Sequence, residues 1–549
     1  MLLSRFAVVG STSIRFSAMA NGSRSSSGNE IPGWLRVVMP SGADLFFLGI
    51  LGVLACTPLA VRLLGDAGIG WHIRTGQLIW ATYSVPRVDS FSSTMSGHPW
   101  FAWEWMYDLL VGLLATRLGL DGVVWLTAVT IATVFAGLFS LLIRRGTHLL
   151  VAMTLVLLAV AASMIHFLAR PHVFTWLFTL AFFWILDSSE REGYSEPREA
   201  GHALWLYPLL MLVWVNLHGG FLIGFVLLGI FLLGAAWTWF RSKKMRIEEL
   251  AENLAARRQV RTLAGVFLLS LAASVANPYG WKLHIHIYRY LSNRFLMDHI
   301  DEFRSPNFHG IAQKCFLILL LVTSAVVMVR GRALRMSHAL TVLFAVYAGL
   351  YASRNIPVSS ILLVLVVGPL VPEAGRAQSF FGRMSTIEVC LRGHVWPVLA
   401  ALLTLVIAVN GGRLGSTVWM DAHFDSKRMP VAAANYLESH HLQESVLSVD
   451  YWGGYLIYRF YPQGRVVLDD RHDLYGEEFF KSYLRMVQVE REWQDVLLAH
   501  PASSVLLPRD VGLASMLTAT RDWKPVYADD VAIVFVRNGG DLHPAKHAQ

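Results

Sequence analysis

Long apolar runs separated by short polar connections fill the first three quarters of the chain. Eleven of these runs have roughly the 17–25 residues that a helix needs to cross a bilayer, although several are short or end at proline or glycine. The runs are 43–64, 121–143, 148–168, 172–188, 202–217, 219–240, 262–276, 313–330, 337–353, 355–371 and 393–410. This pattern predicts a polytopic α-helical membrane unit of about 11 transmembrane helices over 42–412.

The pattern changes from about Arg413, where apolar runs shorten to strand length and charges return. Helical and strand patterns alternate there, which predicts a C-terminal α/β domain over 413–549 with a largely parallel sheet. At the other end of the chain, the stretch from Asn21 to Glu30 is rich in Ser, Gly and Asn. This composition predicts that residues 1–41 form a disordered cytoplasmic tail.

Composition agrees with the membrane interpretation and excludes a chain of soluble domains. Of 549 residues, 55% are hydrophobic and 15% charged, and the mean hydropathy is +0.48; soluble proteins carry about 25% charged residues. The net charge of +8 does not indicate nucleic-acid binding, because much of the excess lies in short clusters between apolar runs. Cys56, Cys315 and Cys390 have no spacing typical of a disulfide framework or a zinc site.

The basic clusters predict an orientation. Lys and Arg accumulate in cytoplasmic connections, and the clusters that begin at Arg144, Arg241, Arg330 and Arg376 fall in alternate connections, while the connection 188–201 is mixed in sign. The N-terminus is therefore expected in the cytoplasm, and an odd number of spans places the C-terminal domain outside.

The same alternation of inner and outer connections places the unusual polar residues on one side of the membrane. Ionisable groups at span ends are costly and commonly face a polar cavity, so the set indicates a site that opens at the outer leaflet. For any single residue, a snorkelling interfacial anchor is the ordinary alternative. The set is Asp66, Trp71, His72, Arg74, Asp89 and Glu104, then Arg170 and His172, Asn216 and His218, Asn277 and Tyr279, and finally Arg354 and Asn355.

The first outer loop, 65–120, is unusually long and rich in acids and tryptophans. Helical periodicity at 69–81 and at 103–118 predicts two amphipathic helices on the membrane surface. Pro, Ser and Gly residues between 86 and 99 predict turns between them.

Several motifs carry a resemblance to a known family. They are Asp66, Trp71-His72, Thr75-Gly76, Pro86 to Ser92, Gly97 to Trp100, Glu104-Trp105, Arg170-Pro171-His172, Asn216 to Gly220, Asn277 to Gly280, and Asp469-Asp470-Arg471 with Leu474-Tyr475. Together they resemble bacterial polytopic proteins of the GT-C glycosyltransferase superfamily over most of 43–540. The resemblance implies a bacterial inner (plasma) membrane protein with a polyprenyl-phosphate sugar donor and an extracytoplasmic C-terminal domain. Many relatives have two nearby acids early in this loop, whereas Asp66 is followed at i+2 by Gly68.

Sugar transfer from a lipid phosphate requires a base near the acceptor and cationic or hydrogen-bonding groups near the leaving phosphate. Asp66, directly after the first span, is the candidate base, and Asp89 and Glu104 are further catalytic candidates that would position the acceptor or coordinate a metal. Each has a structural alternative: a loop cap for Asp66, an N-cap in the Asp89-Ser90 turn, and a first-turn acid for Glu104.

Arginines are the candidates for phosphate binding because the guanidinium offers a planar fork to phosphate oxygens. Arg354 interrupts two apolar spans at the outer side, and Arg170 is the second choice. Trp71, His72, His172 and His218 complete the predicted substrate-binding set, and the histidines could also be metal ligands, although their spacing is not that of a metal site. A divalent metal thus stays open, and no other cofactor is indicated. In the C-terminal domain, Asp469, Asp470 and Arg471 directly follow a predicted strand, where α/β sheets tend to carry ligand contacts. The interpretation of Asp470 and Asp473 as helix caps is favoured over that alternative.

The sequence therefore predicts a membrane glycosyltransferase that uses a polyprenyl-phosphate sugar and an extracytoplasmic glycan, lipid or protein acceptor at the bilayer. A transporter or flippase of lipid-linked glycans is one alternative, although its ionisable residues would be expected near the membrane middle. A non-catalytic envelope-assembly protein with the same fold is the other.

Overall fold

A computed structural model describes residues 32–192, 203–242, 250–371, 380–391, 394–500 and 502–538. Most of the predicted tail 1–41 lies outside these ranges, although Gly33–Val38 forms a short helix, α1. The predicted cytoplasmic connections at 188–201, 241–246 and 376–392 also lie partly outside them.

Every apolar run predicted to span the membrane coincides with helical structure. The helices of this unit are α1, α2 (Gly42–Ala55), α3 (Ala60–Leu63), α4 (Ile69–Thr82), α5 (Trp105–Arg144), α6 (Leu149–Ser163), α7 (His172–Glu192), α8 (Leu206–Leu217), α9 (Leu222–Ser242), α10 (Leu250–Val275), α11 (Lys282–Leu291), α12 (Arg294–His299), α13 (Ile311–Arg330), α14 (Met336–Tyr351), α15 (Ile356–Val367), α16 (Phe380–Cys390) and α17 (Val395–Val409).

Within the described residues, seven helices are long and apolar enough to cross a membrane, or eight if the bent pair of α16 and α17 counts as one. These helices make the chain a multi-pass membrane protein, but the predicted count of eleven spans is not confirmed. The predicted spans 202–217 and 337–353 are shorter apolar helices. The predicted span 262–276 is only the apolar C-terminal part of α10, whose earlier turns carry Arg257, Arg258 and Arg261.

Both helices predicted in the first outer loop are present. The first is α4, and the second is the beginning of α5, which breaks at Gly119 (φ 63°, ψ −160°) before it continues as a span. Helix α4 does not lie exposed on a surface: eight of its residues are buried, and it packs on α5 on one side and on the C-terminal domain on the other.

The C-terminal region forms the predicted α/β domain. Its strands are β3 (Ser445–Ser448), β4 (Arg465–Val466), β5 (Ser504–Pro508), β6 (Trp523–Ala528) and β7 (Ala532–Arg537), preceded by a small hairpin of β1 (Arg413–Leu414) and β2 (Thr417–Val418). Its helices are α18 (Val431–Ser439), α19 (Asp450–Phe460), α20 (His472–Val487), α21 (Trp493–Ala499) and α22 (Gly512–Ala519).

The sheet has the order β4-β3-β5-β7-β6, and its two halves differ in direction. Strands β4, β3 and β5 are parallel, whereas β7 is antiparallel to both β5 and β6. The prediction of a largely parallel sheet was therefore only half right. Residues 529–531 are too short a connection for the helical crossover that parallel strands need, so β6 and β7 must form a hairpin.

One apolar core runs through both units without a break. At their junction α19 lies against α4 so closely that a Cβ at Gly454 would stand 2.8 Å from the Cα of Gly68. The C-terminal domain is thus fixed on the end of the bundle where the first loop lies.

The opposite end of the bundle carries an ion-pair cluster. Asp187 at the end of α7 contacts Arg145, Arg191 and, at 2.7 Å, Nε2 of His338. Glu190 accepts hydrogen bonds from Ser337 at 2.8 and 2.9 Å. These residues lie in or directly beside the predicted cytoplasmic connections, so the structure brings three of those connections to one end.

Candidate active site

A cavity of about 630 Å³ lies between the helical bundle and the C-terminal domain. Its walls come from the first loop, from the polar ends of several helices, and from the starts of α19 and α20. The charged and imidazole side chains that line it are Asp66, His72, Glu104, His166, Arg170, His172, His218, Asp301, Glu302, Arg354, Arg428, Asp450, Asp470, Arg471, His472 and Asp473.

The structure brings eight of the nine predicted site residues to this cavity. They come from four separate connections, all predicted to be outer, that meet because the helices carrying them end on the same side of the bundle. The eight are Asp66, Trp71, His72, Glu104, Arg170, His172, His218 and Arg354. Asp89 is the ninth and lies outside the lining.

Asp66 and Asp470 share one arginine. Oδ2 of Asp66 lies 3.2 Å from Nε of Arg170, and Oδ2 of Asp470 lies 3.3 Å from Nη1 of the same guanidinium. Asp66 also accepts a hydrogen bond from the Gly68 amide (2.8 Å), as expected of a loop cap, and Asp470 accepts one from the Trp71 indole (3.0 Å). A loop cap and a reactive carboxylate are therefore compatible roles for Asp66.

Burial and neighbouring charges set the charge states of Asp470 and Arg170. Burial raises the pKa of Asp470 to about 7, helped by the neighbouring Asp66 and Asp469 and opposed by Arg170. Burial alone would lower the pKa of Arg170, but Asp66 and Asp470 more than offset it, so that pKa is raised. Arg170 therefore stays charged, while Asp470 can exchange a proton near neutral pH.

Glu104 lies between two histidines. Its Oε1 is 3.5 Å from Nε2 of His218, and its Oε2 is 3.8 Å from Nε2 of His72. The Gly220 amide donates to Nδ1 of His218 (3.0 Å), so the proton of this neutral ring is on Nε2 and faces Glu104. On the other ring, Nδ1 of His72 lies 2.6 Å from Oδ1 of the buried Asp108, and Nε2 of His72 faces Glu104.

All three groups are neutral at neutral pH. Burial raises the pKa of Glu104 to about 8, although Arg170 and Arg354 oppose the shift. Burial and the nearby Arg170 lower the pKa of His72, and burial and Arg354 lower that of His218. The short distances are therefore polar contacts between uncharged groups, and Glu104 can both donate and accept a hydrogen bond.

Two further arginines face the cavity. Nη1 of Arg354 lies 3.2 Å from Oε1 of Glu302, and its guanidinium stacks 4.4 Å from the Phe303 ring centre. Although burial acts against it, Arg354 together with Arg170 lowers the pKa of Glu302 to about 2. Arg428 is exposed and lines the cavity, and its guanidinium has no carboxylate partner among the described residues.

His172 and Asp89 make mainly internal contacts. Nε2 of His172 lies 2.8 Å from the carbonyl oxygen of His166, which fixes the ring at the cavity wall. Asp89 accepts hydrogen bonds from the Ser92 amide (2.9 Å) and hydroxyl (2.6 Å), the turn role considered as its alternative. Its Oδ1 also lies 2.7 Å from Nη1 of Arg471 in the C-terminal domain. This position assigns Asp89 to the junction of the loop and the domain.

The sequence did not indicate how much of the lining the C-terminal domain supplies. Helix α20 begins at His472 and has no side-chain cap, so Asp470 is not the helix cap it was interpreted to be. Asp473 instead pairs with His286 (3.1 Å) and His472 with Asp450 (3.0 Å). The available signal was the position of Asp470 just beyond β4, since ligand contacts gather at the carboxyl ends of parallel strands.

A metal ion has a different candidate position. Asp187, Glu190 and His338 offer ligand atoms within 4.8 Å of one another, and no other such group of three is found in the described ranges. These residues belong to the ion-pair cluster at the far end of the bundle, where Arg145 and Arg191 already balance the charge of Asp187. The cluster is therefore remote from the cavity, and its contacts are those of a structural ion-pair network.

Comparison with known proteins finds similar solved structures. The archaeal oligosaccharyltransferase AglB from Archaeoglobus fulgidus, solved with an inhibitory peptide and a dolichol-phosphate, has a TM-score of 0.50 over 85% of this chain and 69% of that chain, at 10% identity. ArnT from Cupriavidus metallidurans, solved with undecaprenyl phosphate, has a TM-score of 0.46 and 13% identity over 90% of this chain and 96% of that chain. No protein-family model and no curated protein sequence matches the chain. The likeness to AglB confirms the GT-C-like fold predicted from the sequence, and at this identity it establishes the fold alone.

Proposed function

We propose that this protein is a membrane glycosyltransferase that moves a sugar from a polyprenyl-phosphate donor to an acceptor on the extracytoplasmic side of the bacterial inner membrane. The acceptor is a glycan, a lipid or a protein. The observation that carries the proposal is the Asp66–Arg170 pair in a cavity that four arginines line, at the end of an apolar bundle. The dolichol-phosphate in the AglB structure supports a lipid phosphate as the donor group.

In the proposed step, the nucleophilic atom of the acceptor forms a bond to the anomeric carbon of the sugar. The bond between that carbon and the phosphate oxygen breaks, and the polyprenyl phosphate leaves with the bonding electron pair. The proton of the acceptor passes to the carboxylate of Asp66, the catalytic base. A base in this position typically contributes about 10²–10⁴-fold to the rate.

The arginines supply the positive charge that the leaving phosphate needs. Arg170 and Arg354 lie on the bundle side of the cavity, and Arg428 on the C-terminal domain can bind an anion without breaking an existing ion pair. The neutral Glu104, with His72 and His218, is suited to hydrogen-bond the acceptor or the sugar. Trp71, which holds Asp470, and His172 shape the wall beside them.

The test is donor consumption by purified protein given a panel of polyprenyl-phosphate sugars with candidate acceptors. D66N keeps the size of the side chain but removes the base, so turnover should fall at least about 100-fold while the thermal unfolding temperature stays near that of the wild type. D298N is the matched control, because Asp298 is an exposed acid that pairs with Arg294 away from the cavity lining.

Near-normal turnover of D66N would contradict the assignment of the base. Failure of the wild-type protein to consume any donor would contradict the proposed function, and movement of an intact donor across liposomes would then favour a flippase. Each assay is repeated with EDTA and with added Zn²⁺ or Mn²⁺. Because the arginines supply the charge in the proposed step, EDTA should leave turnover unchanged.

A further inference from the structure

Gly68 is a glycine whose missing side chain leaves space for two other groups. A Cβ built on it would lie 2.5 Å from Oδ2 of Asp470, and it would come still closer to Nη1 of Arg170. The backbone does not require glycine there, since Gly68 has φ −57° and ψ −24°, ordinary right-handed helical angles. The feature that excludes a side chain at this position is therefore the Asp470–Arg170 pair.

We propose that Asp470 is the second carboxylate of the reaction centre, supplied by the C-terminal domain into the space that Gly68 leaves beside Asp66. This inference rests on the proposed function. The reaction centre then belongs to neither unit alone. It forms where α19 and α20 close on the first loop.

The contacts of Asp470 are those of a site residue. Its two carboxylate oxygens face different partners, the Trp71 indole at 3.0 Å and Nη1 of Arg170 at 3.3 Å, and both partners belong to the membrane unit. Its neighbour Asp469 contrasts with it, because Asp469 is buried and bound to Arg471 and Tyr475 within the C-terminal domain. Asp470 alone of the two faces the cavity.

The guanidinium of Arg170 is held by two carboxylates, and this fixes its orientation. Asp66 faces Nε and Asp470 faces Nη1 of Arg170, so the plane of the guanidinium is fixed. Nη2 has no carboxylate partner among the described residues and is left for a third anionic group, such as the donor phosphate. The trio carries one net negative charge when both acids are ionised, which suits a group that takes a proton from the acceptor.

The decisive experiment moves the carboxylate from one unit to the other. D470N should lower kcat by about 10- to 100-fold, the usual effect of a lost charged hydrogen bond, with an unchanged unfolding temperature. In the double variant G68D with D470A, the loss of Asp470 frees the Arg170 guanidinium to move aside from the new Cβ. A carboxylate then reaches Arg170 from residue 68, and turnover should return to within about tenfold of the wild type. G68D alone should be inactive, because its side chain would overlap Asp470.

D473N is the matched control, since Asp473 lines the same cavity from the same segment but pairs with His286. It should change kcat less than D470N does. Turnover of D470N within threefold of the wild type, or equal losses in D470N and D473N, would overturn the inference. A folded double variant whose turnover does not recover would also overturn the inference. If the role of Asp470 were merely structural, a carboxylate at residue 68 could not replace it.

Failure of the proposed function would be recognised separately. If wild-type protein consumes no donor, the proposed function falls, and binding still tests the Asp470–Arg170 pair. Polyprenyl phosphate without a sugar should raise the unfolding temperature of wild type and D473N but not of D470N, and inorganic phosphate shows whether the lipid is needed. An equal rise in D470N would overturn the inference.

Discussion

At the scale of single residues, Asp89 contributes to stability through a buried ion pair between the first loop and the C-terminal domain. Its carboxylate and the Arg471 guanidinium are both almost fully buried, and removal of one partner from a buried pair typically costs about 3–5 kcal/mol. Because Arg471 keeps Asp469, we expect D89N to lower the free energy of unfolding by about 3 kcal/mol. The exposed pair of Asp421 with His423 provides the control, and D421N should have no measurable effect.

The effect of D89N should depend on pH. Burial alone would raise the pKa of Asp89, but Arg471 and Ser92 lower it below its usual value. A lowered pKa gives stability that is present above the ordinary Asp pKa of about 4 and is lost as the pH falls through the native value. The difference in unfolding temperature between D89N and wild type should thus be full at neutral pH and shrink in acid; a constant difference would contradict the ion-pair account.

The types of residue along the chain predicted the part of the cavity lining that the membrane unit supplies. They did not predict the part that the C-terminal domain supplies. Arg170, His218 and Arg354 were conspicuous because an ionisable group at the end of an apolar run is costly unless it has a polar environment. Asp470 and Arg428 lie in a polar segment, where a charge is ordinary and carries no such signal. Glu302 was likewise one acid among several in a long connection.

At the scale of elements, glycines decide how close α4 lies to its neighbours. A Cβ at Gly112 of α5 would stand 2.6 Å from the carbonyl carbon of Gly76, and one at Gly76 would overlap the Asp108 carbonyl. This contact brings His72 against Asp108 and so sets the direction of its ring. The close packing of α4 and α5 is therefore a condition for the geometry of the site.

G76A should force α4 away from α5 and lower both turnover and the unfolding temperature. Overpacking of this kind typically costs about 1–3 kcal/mol. Gly265 in α10 is the control, since a Cβ there meets nothing within 4 Å; G265A should be neutral or stabilising by up to about 1 kcal/mol. Equal unfolding temperatures for the two variants would show that the contact of Gly76 and Gly112 is not limiting.

Element types followed from the hydrophobic period, whereas their packing did not. Helix α4 has the period of a surface helix, yet it is covered on two sides because Gly76 faces α5 and the C-terminal domain lies against its first turn. A lone glycine in a helical pattern does not reveal which neighbour approaches it. The reversal of β7 similarly depends on the short connection after β6 rather than on the composition of either strand.

At the scale of the whole molecule, charge separates the two ends of the bundle. One end has the acid-rich cavity under the C-terminal domain, and the other has the cluster around Asp187 and His338. The sequence predicted this separation, because each span crosses the membrane once and every second connection must therefore lie on the same side. The joining of two units around one cavity was beyond the sequence, since no local pattern encodes that Asp66 and Asp470, about four hundred positions apart, both pair with Arg170.

The same separation leads to a prediction about orientation. The basic end should face the cytoplasm, and the C-terminal domain should lie outside, where a lipid-linked donor and not a nucleotide sugar is at hand. A protein without its three native cysteines (Cys56, Cys315 and Cys390 replaced by serine) allows a direct test. K524C on the exposed edge of the C-terminal domain and A333C at the exposed basic end then report the two sides.

In intact spheroplasts, a membrane-impermeant maleimide should label K524C and leave A333C unlabelled until the membrane is permeabilised. The charge pattern requires this result, because moving the basic end outside would reverse four Lys/Arg-rich connections at once. Labelling of A333C with protection of K524C would invert the topology. The cavity would then open toward the cytoplasm, and an extracytoplasmic acceptor would no longer be tenable.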